Sequence, residues 1–384
     1  MVTGRIARWH EAGLIDAETR DRLVAYEDEH SRPLALWAVF GIGALAIGLG
    51  LVSLVAANWE AVPGQVRLAL HLALIAGAFA GLWLREDRLA AASPWTVEAL
   101  VFVTAALGLT FFGHLGQVYQ TSAPLWEPLA GWLLLFGPLM LLTGRAWPVA
   151  AALVGGAIWC AWEYNFAASG LIRRASNEEP PYLGMALATA LPVLFAPLGA
   201  FLRARSARPD FWRRLEQLAL VYAVAGASIM AALASLGAFD TADGPLDMPS
   251  QLVRGAVGLV AGVAVAVLRP GLSGRMSGAI MGGAGVLVAV ASVANDIDLL
   301  AAALFMALWA GIAAAALIAG WRGVFQLAVG VIALRLIVLS FELASDLLLS
   351  GFGLVLSGLL VLGIAWCAWR VSRRFAPDEA GKAE

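Results

Sequence analysis

Residues 299–320 read LLAAALFMALWAGIAAAALIAG, with no charged side chain at any position. As an α-helix this stretch is about 33 Å long, a match for the roughly 30 Å hydrocarbon core of a bilayer. Stretches of the same kind recur on both sides of it. They read as 34–57, 65–84, 97–115, 125–143, 147–162, 183–202, 217–237, 252–268, 276–294, 323–341 and 349–371, giving about twelve spans with the first. Composition agrees, with 61% hydrophobic residues, 14% charged residues and a mean hydropathy of +0.82. A soluble core does not need so many continuous apolar runs of spanning length. The sequence therefore predicts an all-α polytopic membrane protein with a short helical module at its N-terminus.

Arginine sets the expected orientation. With the N-terminus inside, twenty of the 25 basic residues fall in inside segments. Arg173 and Arg174 alone fall in outside loops, and Arg67, Arg254 and Arg335 lie within spans. Short loops rich in Lys and Arg stay cytoplasmic, so both termini are expected in the cytoplasm of a bacterial cell and the spans in its inner membrane. No cleavable signal peptide is expected, because residues 1–33 are polar and mixed in charge. Five parts follow: an amphipathic cytoplasmic module over 1–33, a first bundle over 34–202, a basic cytoplasmic loop over 203–216, a second bundle over 217–371 and a tail over 372–384. In the module, Asp16 is an expected N-cap for a helix reaching about Asp28.

Small residues and prolines predict local packing. Gly258 and Gly262 in one span, and Gly274, Gly278 and Gly282 in the next, form faces on which helix backbones approach closely. Pro192 and Pro197 interrupt one span and Gly137-Pro138 another. A proline removes a backbone donor, so a neighbour must satisfy the freed carbonyl. Cys160 and Cys367 lie near opposite membrane faces in this topology and are expected as small buried hydrophobes without a disulfide.

Soluble-enzyme motifs are missing. A P-loop needs its lysine, and the one lysine, Lys382, is in the tail. His10, His30, His71 and His114 show no metal-ligand spacing, so no metal and no cofactor are expected. Gly271-Leu272-Ser273-Gly274 matches a GxSG string of intramembrane proteases, but its serine falls in a basic cytoplasmic loop and the motif reads as chance. Nothing points to nucleic acid.

The remaining polar groups gather at the outer ends of spans. Asn58 and Glu60 end the first, His71 lies about two turns into the second, and His114, Gln117 and Tyr119 end the third. Asn295 and Asp296 end the ninth, while Arg335 sits at mid-depth in the eleventh with Glu342 two turns further on. These ten residues are the candidate polar vestibule. A cation at mid-membrane costs at least about 2.5–3.5 kcal/mol and must face protein or water. Arg335 therefore marks either a solute pathway or an ion pair that fixes helix orientation. His71 is either a proton relay or a histidine bonded between helices.

Three elements carry a family resemblance: Trp9-His10-Glu11-Ala12-Gly13-Leu14-Ile15, Asn58-Trp59-Glu60 after a Gly-rich first span, and Gly116-Gln117-Val118-Tyr119-Gln120. Over roughly residues 1–145 the chain resembles the DUF2157 family of bacterial predicted membrane proteins. The resemblance implies an integral membrane protein and brings no activity with it. The leading functional expectation is a transporter-like protein with a vestibule near the periplasmic face. A second is a scaffold or envelope-sensing protein whose residues 1–33 bind a cytoplasmic partner. A third, weaker one is an intramembrane enzyme on lipid-linked substrates, with Glu60, His114 or Asp296 as acid or base. The bilayer is the one partner that composition itself demands, and the sequence leaves oligomeric state open.

Overall fold

The computed structural model describes residues 6, 9–30, 62–92, 94–175, 182–239, 246–343 and scattered positions from 355 to 370. Residues 1–67 and 68–384 form two compact units. In the first, α1 is Ala17–His30. Its cap is the expected one: the Asp16 carboxylate accepts from Thr19 N–H at 2.8 Å. Hydrogen bonding by the Thr19 side chain, then by its backbone, holds the Asp16 carboxyl below its ordinary value. The turn before it closes at Gly13, whose φ of +68° lies in the left-handed region open to glycine. Trp9, Leu14 and Tyr26 are exposed.

Among its described residues the second unit consists of helices and the turns between them. Its helices are α2 (Gly64–Ala92, entering from the first unit), α3 (Pro94–Tyr119), α4 (Trp126–Thr143) and α5 (Trp147–Ala175). Then come α6 (Tyr182–Ala190), a 3-10 turn (Leu191–Leu194) and α7 (Phe195–Arg203). After these follow α8 (Pro209–Ser235), α9 (Met248–Leu268), α10 (Leu272–Val290), α11 (Asp298–Ile318) and α12 (Arg322–Leu343). Nine segments of the described residues are long and apolar enough to cross a membrane. They coincide with nine of the expected spans. The expected spans 34–57 and 349–371 lie outside the described residues or almost so. The expected span 147–162 is the first part of the 29-residue α5.

Two boundaries differ from the sequence reading for clear reasons. The helix expected from 217 begins at Pro209, which sits at the first helical position where its missing N–H costs nothing. Part of the 203–216 connector is thus helical, and its Phe211, Trp212 and Leu215 are buried. The span expected over 183–202 is broken at Pro192 into α6, the 3-10 turn and α7. Pro197 falls in the first turn of α7, where no helical N–H is needed. Pro138, by contrast, lies inside a continuous α4.

Three devices hold the second unit together. Where α4 turns into α5, Glu98 of α3 is 1% exposed and accepts from the N–H groups of Arg145, Ala146 and Val149 at 2.8, 3.0 and 2.9 Å. These are donors that a helix start leaves without partners, and a carboxylate suits the positive end of the dipole. On the other side of the turn, Arg208 donates to the carbonyls of Leu141 and Gly144 at 2.9 and 2.7 Å, and Arg145 pairs with Glu86 at 2.8 Å. Burial, then the neighbouring Arg145 charge, pulls the Arg208 guanidinium below its ordinary value.

The second device is a glycine seam between α9 and α10, made from the two expected small-residue faces. A methyl group on Gly262 would lie 2.5 Å from Gly282 N and 2.6 Å from Gly278 O, and one on Gly285 would lie 2.6 Å from Leu259 N. The seam therefore runs one step beyond the expected glycines, to Gly255 and Gly285. The third device is the packing of α6 and α7 on α8 and α9, in a cluster of Val193, Ala196, Ala200, Ala219, Ala261 and Val265.

Candidate functional site

Pro192 has no N–H, so the carbonyl of Thr189, three residues earlier, loses its 3-10 partner. Tyr222 of α8 supplies one: its hydroxyl donates to Thr189 O at 2.6 Å and accepts from Trp162 Nε1 of α5 at 3.1 Å. The Thr189 hydroxyl in turn accepts from Arg254 Nε of α9 at 3.1 Å. One helix break thus gathers a phenol, an indole, a hydroxyl and a guanidinium from four helices.

These groups line a cavity of about 70 Å³ within the helix bundle. Small residues leave the space open: Gly226 from α8, Gly258 from α9, and Ala284 and Gly285 from α10. Val193 and Met230 make much of the wall apolar. Arg254 lies six residues into α9, roughly 9 Å along its axis. A wider cavity of about 490 Å³ lies beside the α9 start, lined by Asp247, Met248, Ser292 and Asn295 among others.

Seven of the ten expected vestibule residues have side chains among the described ones. His71 of α2 and His114 of α3 are brought into contact, Nδ1 to Nδ1 at 3.4 Å. His71 Nε2 lies 3.0 Å from the carbonyl of Leu107. A carbonyl only accepts, so Nε2 carries the proton there. Gln117 and Tyr119 are exposed near the end of α3. Asn295 and Asp296 tie down the end of α8 instead: Asn295 Oδ1 accepts from Phe239 N–H at 3.0 Å, and Asp296 N–H donates to Ala234 O at 2.9 Å. Arg335 is half-buried in α12. Asn58, Glu60 and the Glu342 side chain lie outside the described residues.

Ser273 of the GxSG string accepts from Arg269, which also donates to Ser277 and to buried Glu216 at 2.7 Å. The serine thus holds an arginine in an ion-pair cluster. Among the described residues no group of three or more His, Cys, Asp or Glu is arranged to hold a metal ion. The sequence reading missed Thr189, Tyr222, Trp162 and Glu98 altogether. Arg254 carried a signal, being a charge within a span, but its partners lie 65 residues or so away in sequence and no spacing rule joins them.

Helices of crossing length, a backbone seam of glycines and charge held at depth define a polytopic α-helical membrane protein. Residues 7–149 match the model of the family described as "Predicted membrane protein (DUF2157)", over nearly the stretch in which the sequence resembled it. No curated protein and no solved structure matches the chain.

Proposed function

We propose that the protein is a transporter-like protein of the bacterial inner membrane, with both termini cytoplasmic and a polar entry near the periplasmic face. The supporting observation is Arg254, a charged side chain that lines an interior cavity from a helix of membrane-crossing length. Intramembrane charge is expensive to keep and commonly marks a solute or ion path. The His71–His114 contact is a second polar element on such a path, since a histidine pair can pass a proton. The vestibule reading of Asn58, Glu60, Gln117, Tyr119, Asn295, Asp296, Arg335 and Glu342 stays part of this proposal.

Proteoliposomes holding the full chain test it. Light scattering after an osmotic step with glycine, glycerol or sodium chloride should report faster permeation than protein-free vesicles for at least one solute. Equal rates for all three would count against a transporter.

One observation favours a second reading. Trp9, Leu14 and Tyr26 expose apolar surface on the N-terminal unit, as a module that binds a cytoplasmic partner would. Under this reading the protein is a scaffold or envelope sensor, and its vesicles would be no leakier than empty ones.

A further inference from the structure

α7 and α8 form a helical hairpin whose backbones meet at a glycine. A methyl group on Gly199 would lie 2.6 Å from the carbonyl oxygen of Trp212 and 3.0 Å from the backbone nitrogen of Glu216. One turn further on, at the mouth of the hairpin, Arg203 ends α7. Its side chain is 31% exposed, so most of it is out of water. Its ion pair with Glu216 Oε2 is 3.7 Å long, beyond hydrogen-bond reach, and it makes no hydrogen bond to another described residue. The Glu216 carboxylate is already held by Arg269, which donates to Oε1 at 2.7 Å. Arg213, three residues before Glu216 on α8, is exposed and likewise has no hydrogen bond among the described residues. The charges that act on Arg203 there are Arg269, Glu216, Arg213 and Asp210. Counting Arg203 itself, three guanidiniums meet two carboxylates, and one positive charge is left over.

Depth selects the anion that can meet this charge. Tyr182–Arg203 is a segment of crossing length that ends at Arg203. Its 22 residues cover about 33 Å as a helix, which puts the guanidinium at the edge of a roughly 30 Å hydrocarbon core, the level of the lipid headgroups. We propose that the mouth of the α7–α8 hairpin binds the phosphodiester of an anionic glycerophospholipid, of the phosphatidylglycerol kind, between Arg203 and Arg213. A single negative charge balances the excess. A zwitterionic headgroup brings an ammonium into a field that is already positive, and a doubly charged free phosphate overshoots the balance. The guanidinium of Arg203 presents its N–H donors as a planar fork, which suits two oxygens of one phosphate. Glu216 Oε2 is fully buried and does not face the ligand. The inference needs the membrane class alone and holds equally for a transporter and for a scaffold.

Native mass spectrometry of the full chain in detergent tests it, with dioleoylphosphatidylglycerol, dioleoylphosphatidylethanolamine and inorganic phosphate as probes. The first phosphatidylglycerol should bind more tightly than the ethanolamine lipid. Arg203→Gln and Arg213→Gln should each weaken that first binding about tenfold or more. Any basic face attracts an anionic leaflet, so Arg322→Gln is the control: Arg322 is exposed at the start of α12 and is not among the charges acting on Arg203. That variant should bind like the native chain. Arg213 is exposed, so its variant keeps the test open if the Arg203 variant fails to fold. Equal binding of the two lipids, or an equal loss from Arg322→Gln, overturns the site. Displacement of phosphatidylglycerol by inorganic phosphate would make the ligand a soluble anion and overturn the lipid assignment.

Discussion

Tyr222 answers a defect that Pro192 creates. Its hydroxyl gives the Thr189 carbonyl the donor that the proline lacks. Tyr222→Phe leaves that carbonyl unpaired in the interior and should destabilise the protein by about 1–3 kcal/mol, read as a lower midpoint of thermal unfolding in detergent. Adding Pro192→Ala restores the missing N–H, so the double variant should recover much of the loss. No recovery would mean that the phenol matters through Trp162 instead. Glu98 acts in a similar way on a helix start. Glu98→Gln keeps the volume but sets an amide against three N–H donors, and should cost about 2–3 kcal/mol. A midpoint within a degree of the native one would show that water replaces the carboxylate without penalty.

At the scale of elements, the α9–α10 seam has no room for side chains. Gly262→Val puts a branched chain where a methyl already meets backbone at 2.5 Å, so the helices must separate. Overpacking of this kind costs about 1–3 kcal/mol or more, whereas Gly226→Ala, with open space at the Cβ, should be neutral or slightly stabilising. The comparison of the two midpoints checks the seam, because propensity alone predicts that both substitutions stabilise. This face was legible in the sequence, since glycines four apart in an apolar run have a single common use. So were the spans, whose length and hydropathy are local properties. What covers each span was not legible. Nothing in the sequence marks Glu98, whose donors stand 47 to 51 positions away. His71 and His114 read as members of one vestibule by their depth, but no spacing rule predicts that, 43 positions apart, they touch. Helical period tells which residues share a face and leaves the facing helix unnamed.

For the molecule as a whole, the proposed orientation follows from arginine, with twenty basic residues on one side and two on the other. A cytoplasm-dependent reporter fused after residue 384 should be active, and one that works only in the periplasm should be silent. The opposite result would require an odd number of spans. The same orientation puts Glu86, Glu98, Arg145, Arg208, Arg269 and Glu216 in or near the cytoplasmic interface. There the connectors are tied by ion pairs and by hydrogen bonds to backbone carbonyls. The cavities would then lie towards the opposite face.

The glycine seam also bears on the order in which the molecule is made. Between α9 and α10 stand three residues, Arg269-Pro270-Gly271, so both halves of the seam leave the ribosome almost together. The hairpin needs no later helix to complete it, whereas α5, α6 and α8, which wall the other sides of the Arg254 cavity, have been made before it. Assembly should therefore run by docking a finished hairpin against a waiting groove, and this docking should close the cavity before α11 and α12 pack on α8 and α10. A chain ended shortly after Ala294, with cysteines at 259 and 282, should already cross-link within the hairpin, while one that pairs 193 with 261 should cross-link only once docking has taken place.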